Sequence, residues 1–339
     1  MKVGILTFHD AHNYGAVLQA YALKKHIQNM GHEAIIINYH HETIPDGFLY
    51  LKEVNNSRWE KFNKFIKELT DYEETTYTHE RELEKLDIDV WICGSDQIWN
   101  TEITGGINKG FFLNFKTRGK KISYAVSMGI EKFPSEQEKE FEECINKLDE
   151  ISVREETLKK YVEKFTDKKV TKTIDPTLLL EETDYDNLLL DNKNGEYILI
   201  FALGPDERLT QIAQKIAKEK NAKIIELNDE KQENYFCEQI SNAGPSEFLT
   251  LIKNAKAIVT NSFHGTVFSI IFKKEFYTIT RLNRNARMEN ILKIVGMEDR
   301  LIDKVEEIEN IKEQDYQKAF ENLKIEREKS REFLKNALK

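Results

Sequence analysis

The sequence KAIVTNSFHGTVF, residues 256–268, is the stretch on which the fold prediction depends. Its apolar start at 257–259 is typical of a buried parallel strand, and the apolar residues 267–268 begin a helix. The polar turn between them, 260–266, would carry the backbone N–H groups and the positive dipole end of a helix N-terminus. His264 lies in that turn, so the stretch predicts a place to hold an anion and move a proton. The alternative is an ordinary helix cap with a histidine packed nearby.

Polar residues also follow other predicted strands at their carboxyl ends. A strand at 2–8, a helix that Gly31 closes and a strand at 34–38 form a β-α-β unit, which predicts a parallel sheet. In open parallel sheets, ligands bind at the carboxyl ends of the strands. The polar clusters at such ends are 9–15, 94–100, Arg154 and the 260–266 turn. We expect them to line one cleft between two domains.

The β/α series divides into two halves at a polar, turn-rich segment, residues 181–195. We therefore predict an α/β protein with two facing Rossmann-like domains, 1–180 and 181–310. The segment 311–339 predicts a long charged helix with an interrupted apolar stripe, which we expect to pack back on the first domain.

The composition excludes several classes of protein. The net charge of −9 disfavours nucleic-acid binding, and no apolar stretch has the length of a membrane span. The first residues are interpreted as a strand rather than a signal peptide. Cys93, Cys144 and Cys237 are far apart, which predicts a cytoplasmic protein without a zinc site, with Cys93 in the core. The sequence motifs of serine hydrolases, P-loop NTPases and zinc peptidases are absent.

Arg154 is a candidate for binding an anion. It follows an apolar strand, and a guanidinium suits a bidentate grip on a carboxylate or phosphate. The alternative is a surface ion pair with Glu155 or Glu156.

The cluster at 94–100 contains candidates for sugar binding. Asp96 and Gln97 suit sugar hydroxyls, and Trp99 offers an aromatic face nearby. The alternatives are local backbone bonds that cap the next helix, and a core position for Trp99.

Three arginines, Arg281, Arg284 and Arg287, come shortly after the strand predicted at 276–280. We expect at least one of them to be structural or solvated, and Arg287 has acidic candidates for an ion pair nearby in the sequence.

The motifs, taken in order, resemble those of the polysaccharide pyruvyl transferase family. The resemblance covers nearly the whole chain, and the combination is more specific than any one segment. The segments are NYGAVLQAYAL (13–23), DVWICGSDQIWN (89–100), ISYAVSMG (122–129), ISVREE (151–156), DPTLLL (175–180), VTNSFHGTVFSIIF (259–272) and RNARMENILKIVGMEDRL (284–301).

The resemblance implies a fold similar to GT-B glycosyltransferases. It also implies transfer of a pyruvyl group from phosphoenolpyruvate to two hydroxyls of one sugar, which leaves a cyclic ketal. Such enzymes serve the synthesis of capsules, exopolysaccharides and cell-wall polymers. Residues 1–180 would be the acceptor side and 181–310 the phosphoenolpyruvate side. The implied partners are phosphoenolpyruvate and a lipid-linked or nucleotide-linked sugar, and the scheme requires no metal or redox cofactor.

This chemistry assigns roles to the candidate residues. His264 would transfer a proton or stabilise the leaving phosphate, and Arg154 would hold the carboxylate or phosphate of the donor. The remaining assignments are Ser262, Gly265, Thr266, Arg281, Arg284 and Arg287 on the donor side and Asn13, Asp96 and Gln97 on the acceptor side.

Two other functions compete with pyruvyl transfer. One is a GT-B glycosyltransferase that uses a nucleotide sugar, and the other is a non-catalytic glycan-binding member of an assembly complex. If the acceptor is lipid-linked, we expect peripheral contact with the inner face of the plasma membrane, through 40–87 or the terminal helix.

Overall fold

The computed structural model describes residues 1–40, 56–70, 75–130, 132–191, 194–228, 235–280 and 286–339. These residues form two compact units. The first unit contains the described parts of Met1–Val54, Asn63–Leu180 and Glu326–Lys339, and the second contains those of Asn55–Phe62 and Glu181–Ile325. Each unit is therefore assembled from segments that are distant in the sequence.

The first unit is built on a parallel sheet whose described strands follow the order β2-β1-β3-β4-β5-β6. The inner strands of this sheet are short, mostly buried apolar runs, as is typical of a parallel sheet covered by helices. The strands are β1 (Lys2–Leu6), β2 (Glu33–Ile36), β3 (Val90–Cys93), β4 (Lys120–Val126), β5 (Glu150–Val153) and β6 (Val170–Lys172).

Helices alternate with these strands along the chain. They are α1 (Tyr14–Asn29), α2 (Asn56–Phe65), α3 (Thr101–Thr104), α4 (Glu138–Ile145) and α5 (Glu156–Val162). A π-helical turn at Ile66–Thr70 and 3-10 turns at Glu80–Lys85, Ser135–Gln137 and Pro176–Leu178 complete the described helical residues of this part of the chain.

The second unit repeats the plan, with a parallel sheet in the order β12-β11-β10-β7-β8-β9 among its described strands. The strands are β7 (Tyr197–Phe201), β8 (Lys223–Leu227), β9 (Glu238–Ile240), β10 (Ala257–Thr260), β11 (Glu275–Ile279) and β12 (Leu301–Ile302). The helices that begin in this unit are α6 (Glu207–Lys220), α7 (Pro245–Asn254), α8 (Phe263–Ile271), α9 (Ala286–Val295) and α10 (Tyr316–Ala337), with 3-10 turns at Glu182–Leu188, Glu298–Arg300 and Val305–Asn310.

Each sheet has a point at which the strand order reverses. In the first unit the chain runs outward from β1 to β2 on one side and to β3 on the other, so the reversal lies between β1 and β3. In the second unit it lies between β7 and β10. Open α/β sheets bind ligands at the carboxyl ends of the strands that flank such a reversal.

The terminal helix α10 contributes residues to both units. Its later part is held in the first unit by buried polar contacts. Arg327 Nε donates to the Leu178 carbonyl at 2.7 Å, and the Ile174 amide donates to Ser330 Oγ at 3.0 Å. These bonds satisfy polar groups that would be costly to bury alone.

The two Rossmann-like sheets and the C-terminal helix confirm the predicted fold class. The predicted cleft between the halves stays a prediction. Cys93 is buried in the core, and burial raises the pKa of its thiol. A membrane-crossing helix, judged by length and apolar content, does not occur in the described part of the chain.

Candidate functional site

The turn from β10 to α8, residues 260–266, is held by hydrogen bonds among its own residues. Ser262 caps α8, and its Oγ accepts the Gly265 amide at 3.3 Å. The Ser262 carbonyl accepts both the amide and the hydroxyl of Thr266, at 3.0 and 3.1 Å. The Thr266 hydroxyl also lies 2.8 Å from Thr278 Oγ1, inside the core. Ser262 and Thr266, which the sequence assigned to the donor side, are thus hydrogen-bonded within the protein itself.

The same turn is fixed to the neighbouring strand β7 at the reversal point. Thr260 Oγ1 donates to the Phe201 carbonyl at 2.7 Å, and Asn261 Oδ1 accepts the Leu203 amide at 2.7 Å. A Cβ on Gly265 would lie 2.5 Å from Thr260 Oγ1, so only glycine allows the first turn of α8 to approach the strand this closely.

His264 lies in the first turn of α8 and is 7% exposed. Its ring packs on the Phe263 ring, with centroids 5.0 Å apart and planes at 81°. The guanidinium of Arg287, on α9, lies 5.7 Å from the centroid of the same Phe263 ring. The first turn of α8 carries no acidic side chain. A helix N-terminus, a histidine and an arginine therefore meet around Phe263, and this combination favours an anion.

Of the three late arginines, Arg287 is the one that the structure describes. Arg281 and Arg284 lie outside the described residues.

A second feature of this unit is a cavity of about 840 Å³ beside the N-terminus of α6. The N-terminus of α6 is acidic, since Asp206 caps the helix and Glu207 lies in its first turn. Arg208 is paired with Asp206 at 2.7 Å and with Asp303 at 2.9 Å. The α6 terminus is therefore less suited to an anion than the α8 terminus.

Glu226 lines the same cavity. Burial raises the pKa of its carboxyl, which a hydrogen bond from Tyr235 partly offsets. Burial and the bond to Glu226 raise the pKa of Tyr235 to about 12. Burial thus makes negative charge unfavourable on both of these lining side chains.

In the first unit, a buried polar cluster lies at the reversal between β1 and β3. Gln19, on α1, is fully buried, and its Nε2 donates to Thr7 Oγ1 at 2.8 Å. Its Oε1 accepts the Ser95 amide at 3.1 Å, and Thr7 Oγ1 donates to the Ser95 carbonyl at 3.0 Å. Ser95 belongs to the predicted polar cluster 94–100, but its link to Gln19 and Thr7 was not predicted from the sequence. A glutamine inside the apolar series of α1 was the signal that could have revealed it.

Arg154 follows β5 and is 3% exposed. Its Nε lies 3.1 Å from Glu155 Oε1, and its Nη1 lies 2.5 Å from Asp175 Oδ2. Burial by itself lowers the pKa of Arg154, but Glu155, Asp175 and Asp96 together raise it above its ordinary value. Glu155 is one of the two partners that the sequence offered, but the pair is buried and not at the surface, and the pairing with Asp175 was not anticipated.

Asp96 and Gln97 are half-buried after β3. Asp96 Oδ1 accepts the Gln97 amide at 2.8 Å, and Gln97 Oε1 accepts from Asn100 Nδ2 at 3.2 Å. A Cβ on Gly129 would lie 1.8 Å from Gln97 Oε1, so Gly129 provides the space for that amide.

Trp99 is fully buried and stacks on Phe112, with centroids 4.8 Å apart. The aromatic face near Asp96 that favoured sugar binding is therefore part of the core, and the alternative stated for Trp99 is the correct one.

The remaining acceptor candidate, Asn13, is exposed at the start of α1 and accepts the Ala16 amide at 3.1 Å. Asp10 precedes Asn13 closely in the sequence, and its Oδ2 lies 3.1 Å from His40 Nδ1. In the described part of the chain, no group of three or more His, Cys, Asp or Glu residues is arranged to hold a metal ion.

A family model described as polysaccharide pyruvyl transferase matches residues 13–283. The chain belongs to the polysaccharide pyruvyl transferase family. The matched range includes Arg154 with its carboxylates and the α8 turn with His264, and the family is one of transferases that act in polysaccharide modification. No curated protein matches the chain.

Solved structures similar to this pyruvyl transferase family member include UDP-GlcNAc 2-epimerases. The UDP-GlcNAc 2-epimerase of Methanocaldococcus jannaschii, in complex with UDP-GlcNAc and UDP, has a TM-score of 0.55 and 14% identity, over 96% of this chain and 99% of that one. The UDP-GlcNAc 2-epimerase of Neisseria meningitidis, bound to UDP-GlcNAc, has a TM-score of 0.53 and 10% identity, over 99% and 94%. At this identity the likeness establishes the GT-B-like fold.

Proposed function

We propose that this protein transfers the pyruvyl group of phosphoenolpyruvate onto two hydroxyls of one sugar, forming a ketal on a polysaccharide or its precursor. The observation that carries the proposal is the family match over residues 13–283. The anion-favouring α8 turn, which lies inside the matched range, supports it.

The reaction sets the requirements of the donor site. Carbon 3 of phosphoenolpyruvate gains a proton while carbon 2 becomes positive, and one sugar hydroxyl attacks carbon 2. Phosphate then leaves, and the second hydroxyl closes the ketal, so one phosphoenolpyruvate and one diol give one ketal and one phosphate. Two steps involve a proton or a leaving anion, and a histidine at a helix N-terminus suits both.

We assign His264 to proton delivery, either to carbon 3 or to the leaving phosphate. The N-terminus of α8 and Arg287 would hold the anionic donor next to it. Arg154 is a positioning residue in this scheme, because its guanidinium is buried between Glu155 and Asp175. Asp96, Gln97 and Asn13 remain our candidates for the acceptor hydroxyls. The scheme requires no metal or redox cofactor.

The role of His264 is tested by phosphate release from phosphoenolpyruvate in the presence of a panel of nucleotide- and lipid-linked sugars. We expect His264→Ala to lower kcat by about 10²–10⁴-fold, the usual contribution of general acid–base catalysis. The matched control is His32→Ala, which should keep full activity. His32 is a half-buried residue between α1 and β2. A His264→Ala variant with full activity would remove His264 from the mechanism.

Ligand stabilisation distinguishes the donor classes. A ligand that binds the folded state raises the melting temperature by mass action. We expect phosphoenolpyruvate, and not UDP-GlcNAc, to raise the Tm of the wild-type protein, and the rise to shrink in Arg287→Gln. A rise with UDP-GlcNAc alone would instead support a glycosyltransferase that uses a nucleotide sugar.

A further inference from the structure

A second pocket of about 400 Å³ lies in the second unit, at the amino ends of β11 and β12. We call it the Arg300 pocket. Its lining residues are Lys273, Glu275, Tyr277, Arg300, Ile308, Ile311, Lys312, Glu313, Gln314 and Tyr316. Because β10 and β11 are parallel, the pocket lies at the amino ends of the strands, whereas the α8 turn lies at their carboxyl ends. A strand of four or five residues separates these two ends by roughly 13–16 Å.

Arg300 is a buried cation in this pocket, with 4% of its surface exposed. Its Nη1 donates to the Phe276 carbonyl at 3.3 Å and its Nη2 to the Lys312 carbonyl at 2.6 Å. The guanidinium also lies 5.6 Å from the Tyr277 ring centroid. These contacts fix its position, but neutral carbonyls do not cancel its charge.

The charge of Arg300 has no carboxylate partner among the described residues. None of their carboxylate oxygens forms an ion pair with it within 4.0 Å, and its buried Nε has no hydrogen-bond acceptor in the same set. The acidic residue beside it, Glu275, is paired with Lys220 at 2.7 Å and accepts the Tyr277 hydroxyl at 2.6 Å. A buried charge without a counter-charge destabilises the folded state, so an anion in the pocket would stabilise the fold.

The other charges at the pocket also favour an anion. Lys273 is matched by Glu182 at 3.3 Å, whereas the exposed side chain of Lys312 makes no ion pair with a described residue. Arg300 and Lys312 thus present two positive charges that no described ion pair neutralises, with the exposed carboxylate of Glu313 at the rim. Two positive charges match a dianionic phosphate better than a monoanionic carboxylate, and the planar guanidinium suits a tetrahedral oxyanion.

We propose that the Arg300 pocket binds a phosphate group, either as inorganic phosphate or as a small phosphate monoester. Lys312 would bind the phosphate at the mouth of the pocket and Arg300 at its floor. The apolar side chains of Ile308 and Ile311 would contact the carbon skeleton of a monoester. This site is separate from the α8 turn, and it does not depend on the pyruvyl transfer proposed above.

Phosphate titration at constant ionic strength, followed by melting temperature and amide hydrogen exchange, tests the proposal. We expect inorganic phosphate to raise the Tm and to slow exchange in residues 297–312, while acetate at equal ionic strength does neither. Glucose 6-phosphate distinguishes the two sources, since a preference for the monoester would show that the apolar wall is used. No effect of either phosphate, or an equal effect of acetate, would overturn the proposal.

Three variants locate the effect. Arg300→Met should weaken phosphate binding more than about tenfold, because a charge-assisted hydrogen bond is lost. Lys312→Glu changes an exposed side chain, so the variant should fold normally and weaken phosphate binding by about two- to fivefold.

The matched control is Arg208→Gln. Arg208 is an arginine of the same unit that already has carboxylate partners, so this variant should bind phosphate like the wild type. Unchanged binding in Lys312→Glu, or protection confined to 260–266, would show that phosphate binds elsewhere.

Discussion

At the scale of single residues, Arg154 illustrates how burial changes the meaning of a charged side chain. The sequence places an arginine after a strand, where it can bind a substrate or pair with a neighbour. The structure places it between Glu155 and Asp175, with Asp96 close enough to raise its pKa further. Its guanidinium therefore binds two carboxylates and lies near a third.

Removing one partner of this buried pair should be costly. We expect Asp175→Asn to lower the free energy of unfolding by about 3–5 kcal/mol, because the Arg154 charge loses its closest counter-charge in a buried setting. Asparagine keeps an oxygen for the Thr177 amide and hydroxyl, which Asp175 accepts at 3.0 and 2.7 Å. Urea denaturation measures the change.

The control for Asp175→Asn is an exposed pair of the same unit. Glu150 lies 3.8 Å from Lys120 at the surface, so Glu150→Gln should cost less than about 1 kcal/mol. Similar losses in the two variants would show that burial does not govern the energy of the Arg154 pair.

At the scale of elements, the α8 turn depends on one close approach. Gly265 occupies the first helical turn, where a glycine-to-alanine change in an unobstructed helix would stabilise by about 0.5–1 kcal/mol. Here the new Cβ would lie 2.5 Å from Thr260 Oγ1. We expect Gly265→Ala to destabilise by about 1–3 kcal/mol through overpacking, and to lower activity by displacing His264. Denaturation and phosphate release measure the two effects.

A second substitution identifies the cause. If the clash with Thr260 is responsible, adding Thr260→Ala should recover part of the loss, so that the double variant is less destabilised than the sum of the single variants. A stabilised Gly265→Ala variant would contradict the packing described here.

The sequence predicted those elements that have strong periodicity or apolar runs. Strands β3, β7 and β10 are continuous apolar segments, and α8 begins after a serine that caps it. Strands β9 and β12 were missed, since three and two residues of mixed polarity carry no detectable period. Of the site, the position of His264 at a helix N-terminus was predictable from the local sequence.

Contacts between distant residues were not predictable in this way. Gln19 meets Ser95 across 76 residues, and Arg154 meets Asp175 across 21. Nothing in the local pattern of either segment specifies the partner, because the sheet order decides which strand ends become neighbours. The same reason explains the incorrect inference from Trp99, whose burial depends on packing against Phe112 and not on its neighbours in sequence.

At the scale of the whole molecule, the division into units does not follow the order of the chain. Residues Glu326–Lys339 belong to the first unit, where Ser330 accepts the buried Ile174 amide. We expect Ser330→Ala to destabilise by about 1–3 kcal/mol, since that amide loses its acceptor. Hydrogen exchange should quicken in β5 and β6 and stay unchanged in β10 and β11.

The neighbouring Lys329 provides the control for this prediction. Its side chain is exposed and pairs with Glu326 on the same helix, so Lys329→Ala should leave exchange in both sheets within error of the wild type. Faster exchange in β10 and β11 after Ser330→Ala would mean that the loss spreads through the whole chain.

The contribution of the last part of α10 to the first unit has a consequence for synthesis on the ribosome. Domains generally fold as they emerge, from the N-terminus onward. Here the strands of the first sheet leave the ribosome long before residues 326–339, which bond the carbonyls of Leu178 and Leu179. Residues Glu181–Ile325, the larger part of the second unit, are translated in the interval. The unit whose strands are made first is therefore completed last, and a nascent chain paused between the two events would carry a first unit that still lacks residues 326–339.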